Sequence, residues 1–260
     1  MRAGSAAVPD GAIAGGKVND PSAVARALKP LVARTETLLT HAMISVSDSL
    51  ATFRVMHLPP TATDKEVDAA IGRDLPFDPQ RTATRWVEMD STPEKRVVYL
   101  VAWDKALLAN VTDAVKQSGL ESTVVELKSA SLARVVPDPS CVVVDLSTQP
   151  AELVLIDGYL PQVWHSFAVK EAFGDEAALS LAQSLRSMLR FYRRHGDGQF
   201  SNACPIYVSS EQSLSAHALT ELSRAVDQPV MPLPAPPRVP SNIRHPTYLA
   251  CLGLLMRRAS

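Results

Sequence analysis

The chain has 260 residues, 46% of them hydrophobic and 20% charged, which is the composition of a folded protein with one large domain or two modest ones. Its 26 lysines and arginines are balanced by 27 aspartates and glutamates. This balance disfavours nucleic acid as the main partner, because phosphate binding usually needs a basic excess. Three cysteines without CxxC spacing and six histidines without HxxxH or HExxH spacing predict neither a disulfide framework nor a metal site.

No segment predicts membrane insertion. The N-terminus lacks the apolar core of a signal peptide. The longest apolar runs, Val97–Trp103 and Tyr248–Met256, are far shorter than the roughly 20 residues that cross a bilayer. We therefore predict a cytoplasmic protein whose link to a membrane comes through a partner.

The first half of the chain predicts a flexible start followed by mixed strands and helices. Asn19-Asp20-Pro21 marks a helix N-terminus, and Pro30 is expected to kink or shorten that helix. Thr63 and Glu66 form a capping-box pattern, and Asp104 is placed to cap a further helix. With these helices, the block reads β-β-α-β-β-α-β, and its predicted strands are 42–47, 52–58, 84–89, 96–103 and 123–127.

The second half is again mixed. The predicted elements are a buried strand 141–145, a hairpin of strands 151–156 and 162–167 around Asp157-Gly158, a long helix 175–195, a strand 206–208, and helices 213–226 and 248–257. Seven prolines between Pro229 and Pro246 predict an extended connector rather than a helix or a central strand. Mixed elements in both halves indicate an α/β architecture with two lobes.

Motifs of common enzymes are absent from the sequence. It contains no Walker A loop, no GxGxxG, no GxSxG and no protein-kinase signature. We therefore name no catalytic residue.

The order of several segments is more specific than any one of them. They are, in chain order, PDGAI, GKVNDPSAVARALKPL, AMISVSDSLATFRVMHLP, VVYLVAWDKALLANVTDAVKQSGLESTVVELKSASLARVV, VVVDLSTQPAELVLIDGYLPQVW, LAQSLRSMLRFYRRHGDG and YLACLGLLMR. In this order they resemble the PilM-type proteins of type IV pilus assembly, which are actin-like relatives of the division protein FtsA. The type II secretion protein GspL shares parts of this plan.

The resemblance implies an α/β, actin-like (ribonuclease H-like) two-lobed fold with an inserted small α+β subdomain. Residues 1–41 would be a remnant of the first lobe, 42–136 the inserted subdomain, and 137–260 the second lobe with its proline-rich connector at 229–246. The family's first phosphate loop precedes the PDGAI segment, and only a few residues precede that segment here. We therefore expect an N-terminally truncated relative.

The resemblance also implies a function. We expect a non-catalytic cytoplasmic scaffold that binds the cytoplasmic N-terminal peptide of a PilN-like inner-membrane protein, with a pilus assembly ATPase as a further partner. The alternative is an actin-like, ATP-binding ATPase of a pilus, type II secretion or cell-division machine.

The family's nucleotide loops are altered in this sequence. Asp145 keeps the acid of the second phosphate loop, but Ser147 stands where that loop has glycine and Thr148 is followed closely by Pro150. At the purine-side loop, Ser209 and Ser210 replace a glycine pair. Glycine lets backbone N–H groups approach phosphate, so these changes predict no bound cofactor, with ATP and Mg²⁺ expected only if the site survives. For Asp145, a turn-capping role competes with magnesium binding.

Two further features are candidate partner surfaces. Leu75, Pro76 and Phe77 form an apolar loop that either packs in the core or lines a partner groove. Arg186, Arg190 and Arg193, with Arg194, follow the outer side of the long predicted helix. They are either a solvated face or a contact for anionic lipid or an acidic partner.

Overall fold

A computed structural model describes residues 3–34, 40–74, 78–89, 92–148, 150–168, 175–195, 200–211, 214–237, 239–240, 243 and 245–257. The chain divides into two compact units, one comprising Gly4–Val125 and the other consisting mainly of Glu126–Ser260. The segment 128–135 belongs to the second of these units, in which it packs on the helix 249–255. The predicted domains 1–41, 42–136 and 137–260 stay predictions.

In its described residues, the first unit holds three small sheets and three α-helices. Its α-helices are α1 (Pro21–Ala33), α2 (Asp64–Asp74) and α3 (Lys105–Gln117). Its strands are β1 (Ile13–Ala14), β2 (Lys17–Val18), β3 (His41–Val46), β4 (Ala51–Leu58), β5 (Thr82–Glu88), β6 (Arg96–Asp104) and β7 (Glu121–Leu127), whose last two residues fall in the second unit. Strand β1 pairs with β2, β3 pairs with β7, and β6 lies between β4 and β5, so the strands form separate sheets.

Side-chain caps explain where these helices begin. Asp20 accepts a hydrogen bond from the Ala23 N–H at 2.9 Å, with proline at the first helical position. Thr63 and Glu66 form the predicted capping box, in which the Thr63 N–H donates to Glu66 Oε2 at 2.7 Å. Asp104 accepts from the N–H groups of two residues in the first turn of α3. The local signals therefore predicted these starts for the right physical reason.

Two features of the first unit differ from the prediction. Helix α1 continues through Pro30 to Ala33, so the proline neither ends nor shortens it. The segment expected to be a flexible edge contains the β1–β2 hairpin, in which Ala12 and Val18 are buried. Its tight turn uses positive φ at Gly15 and Gly16, and Gly16 lies against Ser47 and Ser49.

In its described residues, the second unit is one five-stranded sheet between two pairs of α-helices. The strands are β8 (Cys141–Asp145), β9 (Ala151–Asp157), β10 (Leu160–Phe167), β11 (Ile206–Ser209) and β12 (Val230–Pro232), and the helices are α4 (Lys128–Val135), α5 (Asp175–His195), α6 (Ala216–Val226) and α7 (Leu249–Leu255). The strand order is β10-β9-β8-β11-β12, with β8, β11 and β12 parallel and β9 and β10 antiparallel to their neighbours. One face packs on α5 and α6, and the other on α4 and α7.

The turn chemistry of this unit follows the sequence. Gly158 and Tyr159 both have positive φ, which is the geometry of a tight turn joining β9 and β10. Within the described residues, the proline-rich connector forms β12, three residues at the edge of the sheet, where a proline removes no central ladder bond. Its last residue, Pro246, begins a 3-10 helix. Of the helices in the described ranges, none combines the length and apolar character that crossing a bilayer requires.

Candidate functional site

The predicted nucleotide residues meet at the carboxyl edge of two parallel strands. Asp145 ends β8 and Ser209 ends β11, and the two residues are direct partners in the β8–β11 register. The Leu146 N–H donates to the Ser209 carbonyl at 2.8 Å. Ligands of α/β proteins bind outside the carboxyl ends of parallel strands, so the predicted residues lie where a ligand site is expected.

A buried ion cluster occupies this edge. Lys128, the first residue of α4, places its Nζ 2.7 Å from Asp145 Oδ2 and 2.5 Å from Glu152 Oε2. Asp145 and Glu152 are cross-strand partners on β8 and β9, and both carboxylates are almost fully buried. One ammonium group thus lies between two carboxylates that would otherwise repel each other.

The charge state of Lys128 follows from this arrangement. Burial acts to lower the pKa of Lys128, but the attraction of Asp145 and Glu152 outweighs it and raises that pKa above its ordinary value. The stabilisation from a raised lysine pKa is complete below the unfolded-state value of about 10.4 and is lost as the pH rises through the folded-state value. Lys128 is therefore a fixed cation at neutral pH.

The turn after β8 donates hydrogen bonds to the Asp145 carboxylate. Both the backbone N–H of Ser147, at 2.9 Å, and its hydroxyl donate to Asp145 Oδ1. The Thr148 hydroxyl lies 3.2 Å from Lys128 Nζ. Because one carboxylate oxygen accepts from Ser147 and the other from Lys128, these residues do not fit a loop that aims N–H groups at phosphate and an acid at magnesium.

A pocket of about 280 Å³ lies beside Ser209 and Ser210, at the ends of β11 and β12. Its lining also includes Leu214, Leu219 and His245. The Ser209 hydroxyl is buried and has no hydrogen-bond partner among the described residues. At the lower end of ligand-pocket sizes, this space suits a small group rather than an extended ligand.

Sequence reasoning missed Lys128 and Glu152. Glu152 is a single acid in the otherwise apolar strand Ala151–Ile156, and a lone acid at a buried position requires a partner. Lys128 follows directly after β7 and begins a helix that no sequence signal predicts. The lone acid was thus a usable signal for a buried cluster, although not for the identity of its partner.

The remaining predicted residues are separate from this edge. Leu75, Pro76 and Phe77 lie outside the described residues. Arg186, Arg190 and Arg193 are exposed on α5, and Arg186 Nη1 donates to the Ala225 carbonyl at 3.0 Å. In the described ranges, no three histidine, cysteine, aspartate or glutamate side chains come together as metal ligands would.

Comparison with solved structures shows which known fold this chain resembles. No protein-family model and no curated protein sequence matches the chain significantly. Among solved structures, it is similar to a chain of a PilM-PilN type IV pilus biogenesis complex, with a TM-score of 0.72 and 21% identity over 95% of this chain and 88% of that one. It is also similar to the cytoplasmic domain of EpsL, an inner membrane component of the type II secretion system of Vibrio cholerae, with a TM-score of 0.55 and 13% identity over 95% and 85% of the two chains. The predicted α/β, actin-like fold of the PilM type is confirmed.

Proposed function

We propose that this chain is a non-catalytic scaffold of type IV pilus assembly that binds the cytoplasmic N-terminal peptide of a PilN-like inner-membrane protein. The fold similarity over nearly the whole chain to a PilM-PilN complex supports the assembly role. The scaffold would be cytoplasmic and peripheral to the inner membrane through this partner. The pilus assembly ATPase is a further predicted contact, and anionic lipid at Arg186, Arg190 and Arg193 is the alternative to an acidic protein partner at these side chains.

One observation carries the non-catalytic part of the proposal. Asp145 directs its two oxygens to Lys128 and Ser147, so the acid expected to serve a nucleotide is engaged within the protein. The Lys128 ammonium compensates one of the two carboxylate charges, and the Ser147 N–H and hydroxyl donate to the remaining oxygen of Asp145. The fold would then be kept as a partner-binding scaffold rather than as a nucleotide switch.

The second candidate is an assembly protein of type II secretion on the same fold. The similarity to the EpsL cytoplasmic domain favours it, at a lower TM-score than the PilM-PilN chain. An ATP-binding actin-like ATPase, of a pilus, secretion or division machine, is the alternative from another class of function.

A direct binding measurement tests the proposed partner. We expect the purified chain, without nucleotide, to bind a synthetic N-terminal cytoplasmic peptide of a PilN-like protein from the same organism. Isothermal titration calorimetry should show saturable 1:1 binding, whereas a scrambled peptide of identical composition should give no heat of binding. Binding only to the cytoplasmic segment of a neighbouring type II secretion protein would favour the second candidate, and equal binding of the scrambled peptide would overturn the proposal.

A further inference from the structure

A groove runs between the edge strand β10 and helix α5, away from the ion cluster. Its volume is about 470 Å³. Its lining is mixed in character, because it includes both apolar and polar side chains. The described lining comprises Val163 to His165 on β10 and Gln183, Ser184, Ser187, Met188 and Phe191 on α5.

Strand β10, which borders this groove, is the edge strand of its sheet in the described residues. Among the described residues, β10 pairs with β9 on one side and with no strand on the other. A bulge between Pro161 and Val163 disrupts its first part, which leaves residues 163–167 regular. Edge strands are normally protected by charged residues, and Val163–Phe167 contains no lysine, arginine, aspartate or glutamate. Among the described residues, no strand pairs with the backbone N–H and C=O groups along this side, which is where a further strand would add.

In the part of α5 that lines the groove, the charged side chains have one sign. From Gln183 to Arg194, α5 carries four arginines and no acid, and β10 carries no acid either. Arg190 and Arg194 follow the groove residues Gln183 and Ser187 at i+7 spacing, so helical periodicity places them on the same face of α5 as these two residues. The acid at the end of β9, Asp157, is engaged by the hydroxyls of Ser140 and Tyr192.

We infer that this groove binds an extended acidic segment of a partner protein, which adds a strand to β10. Main-chain hydrogen bonds to residues 163–167 would supply the pairing. Alternate apolar side chains would enter between Val163 and Met188, and acidic side chains would face Arg190 and Arg194. A concave groove suits a single chain better than the broad plane of lipid headgroups. This site lies within the second unit and does not depend on the proposed PilN-like partner.

A designed peptide tests the inference on the full chain. The probe is a fluorescein-labelled eight-residue peptide of alternating glutamate and valine. Its binding to the full chain is measured by fluorescence anisotropy. We expect saturable binding that is weakened about tenfold or more by the double substitution Arg190→Glu/Arg194→Glu. Ser187→Trp should weaken it similarly by filling the groove. The matched controls Arg26→Glu on α1 and His217→Trp on α6, both at exposed positions, should leave the affinity within about twofold.

Two control peptides separate strand addition from charge attraction. A lysine-valine peptide and a glutamate-valine peptide with N-methylated backbone amides should both bind at least about tenfold more weakly. Equal binding of the N-methylated peptide, or unchanged affinity of the arginine double variant, would overturn the inference. So would arginine-dependent co-sedimentation with phosphatidylglycerol vesicles in the absence of peptide binding, since it would assign the surface to lipid.

Discussion

Replacement of Lys128 by methionine is expected to lower the free energy of unfolding by about 3–5 kcal/mol. The ammonium contacts Asp145 and Glu152, whose side chains are 2% and 7% exposed. Methionine has a similar length but no charge, so the substitution leaves two adjacent buried carboxylates without a counter-charge. Urea denaturation at pH 7 measures the loss.

Two variants make this result specific. Lys116→Met removes an exposed lysine of α3 and should change the unfolding free energy by no more than about 0.5 kcal/mol. The triple variant Lys128→Met/Asp145→Asn/Glu152→Gln removes the stranded charges and should recover a large part of the stability. A Lys128→Met protein within about 1 kcal/mol of the wild type would show that the cluster is not the buried ion pair described.

Substitution of Gly253 by alanine is expected to cost on the order of 3 kcal/mol. Helix α7 crosses α4 so closely that a Cβ at Gly253 would overlap the Ser131 carbonyl oxygen and lie 2.6 Å from the carbonyl carbon. Backbone atoms cannot rotate away as a side chain can, so the two helices must separate. The loss of stability should appear as a lower midpoint of thermal unfolding. Far-UV circular dichroism before heating should show that the variant is folded.

A second helical glycine provides the matched comparison. Gly72 in α2 has no atom within 4 Å of the position its Cβ would take. Gly72→Ala should therefore leave the stability unchanged or raise it by up to about 1 kcal/mol. If both alanine variants behaved alike, the close α4–α7 crossing would be contradicted.

The elements predicted best are those fixed by local chemistry. The Thr63–Glu66 capping box, the Asp104 cap and the turn at Asp157-Gly158 each depend on residues within a few positions of one another. Strand β8 and helix α5 have the bounds expected from their apolar patterns. Such signals are readable without knowing the rest of the fold.

Features that depend on distant residues were not predictable. Strand β3 pairs with β7, which comes much later in the sequence. Strand β4 pairs with β6 rather than with β3 or β5, its neighbours in sequence. Helix α4 has eight residues and no side-chain cap, and its close fit to Gly253 is visible only in the structure. The ion cluster joins Lys128 to acids on two strands, so the acid Asp145 was found without the lysine that defines its role.

Titration of Mg-ATP into the purified full chain by calorimetry tests the central claim most directly. If Lys128 and Ser147 engage Asp145 within the protein, millimolar Mg-ATP should give no heat of binding. The same titration into the Lys128→Met/Glu152→Gln variant distinguishes a protein without a nucleotide site from a protein whose nucleotide site is occupied by the Lys128 side chain. Binding of Mg-ATP to the wild-type chain at micromolar concentration would contradict the account, because the altered loops would then serve a nucleotide.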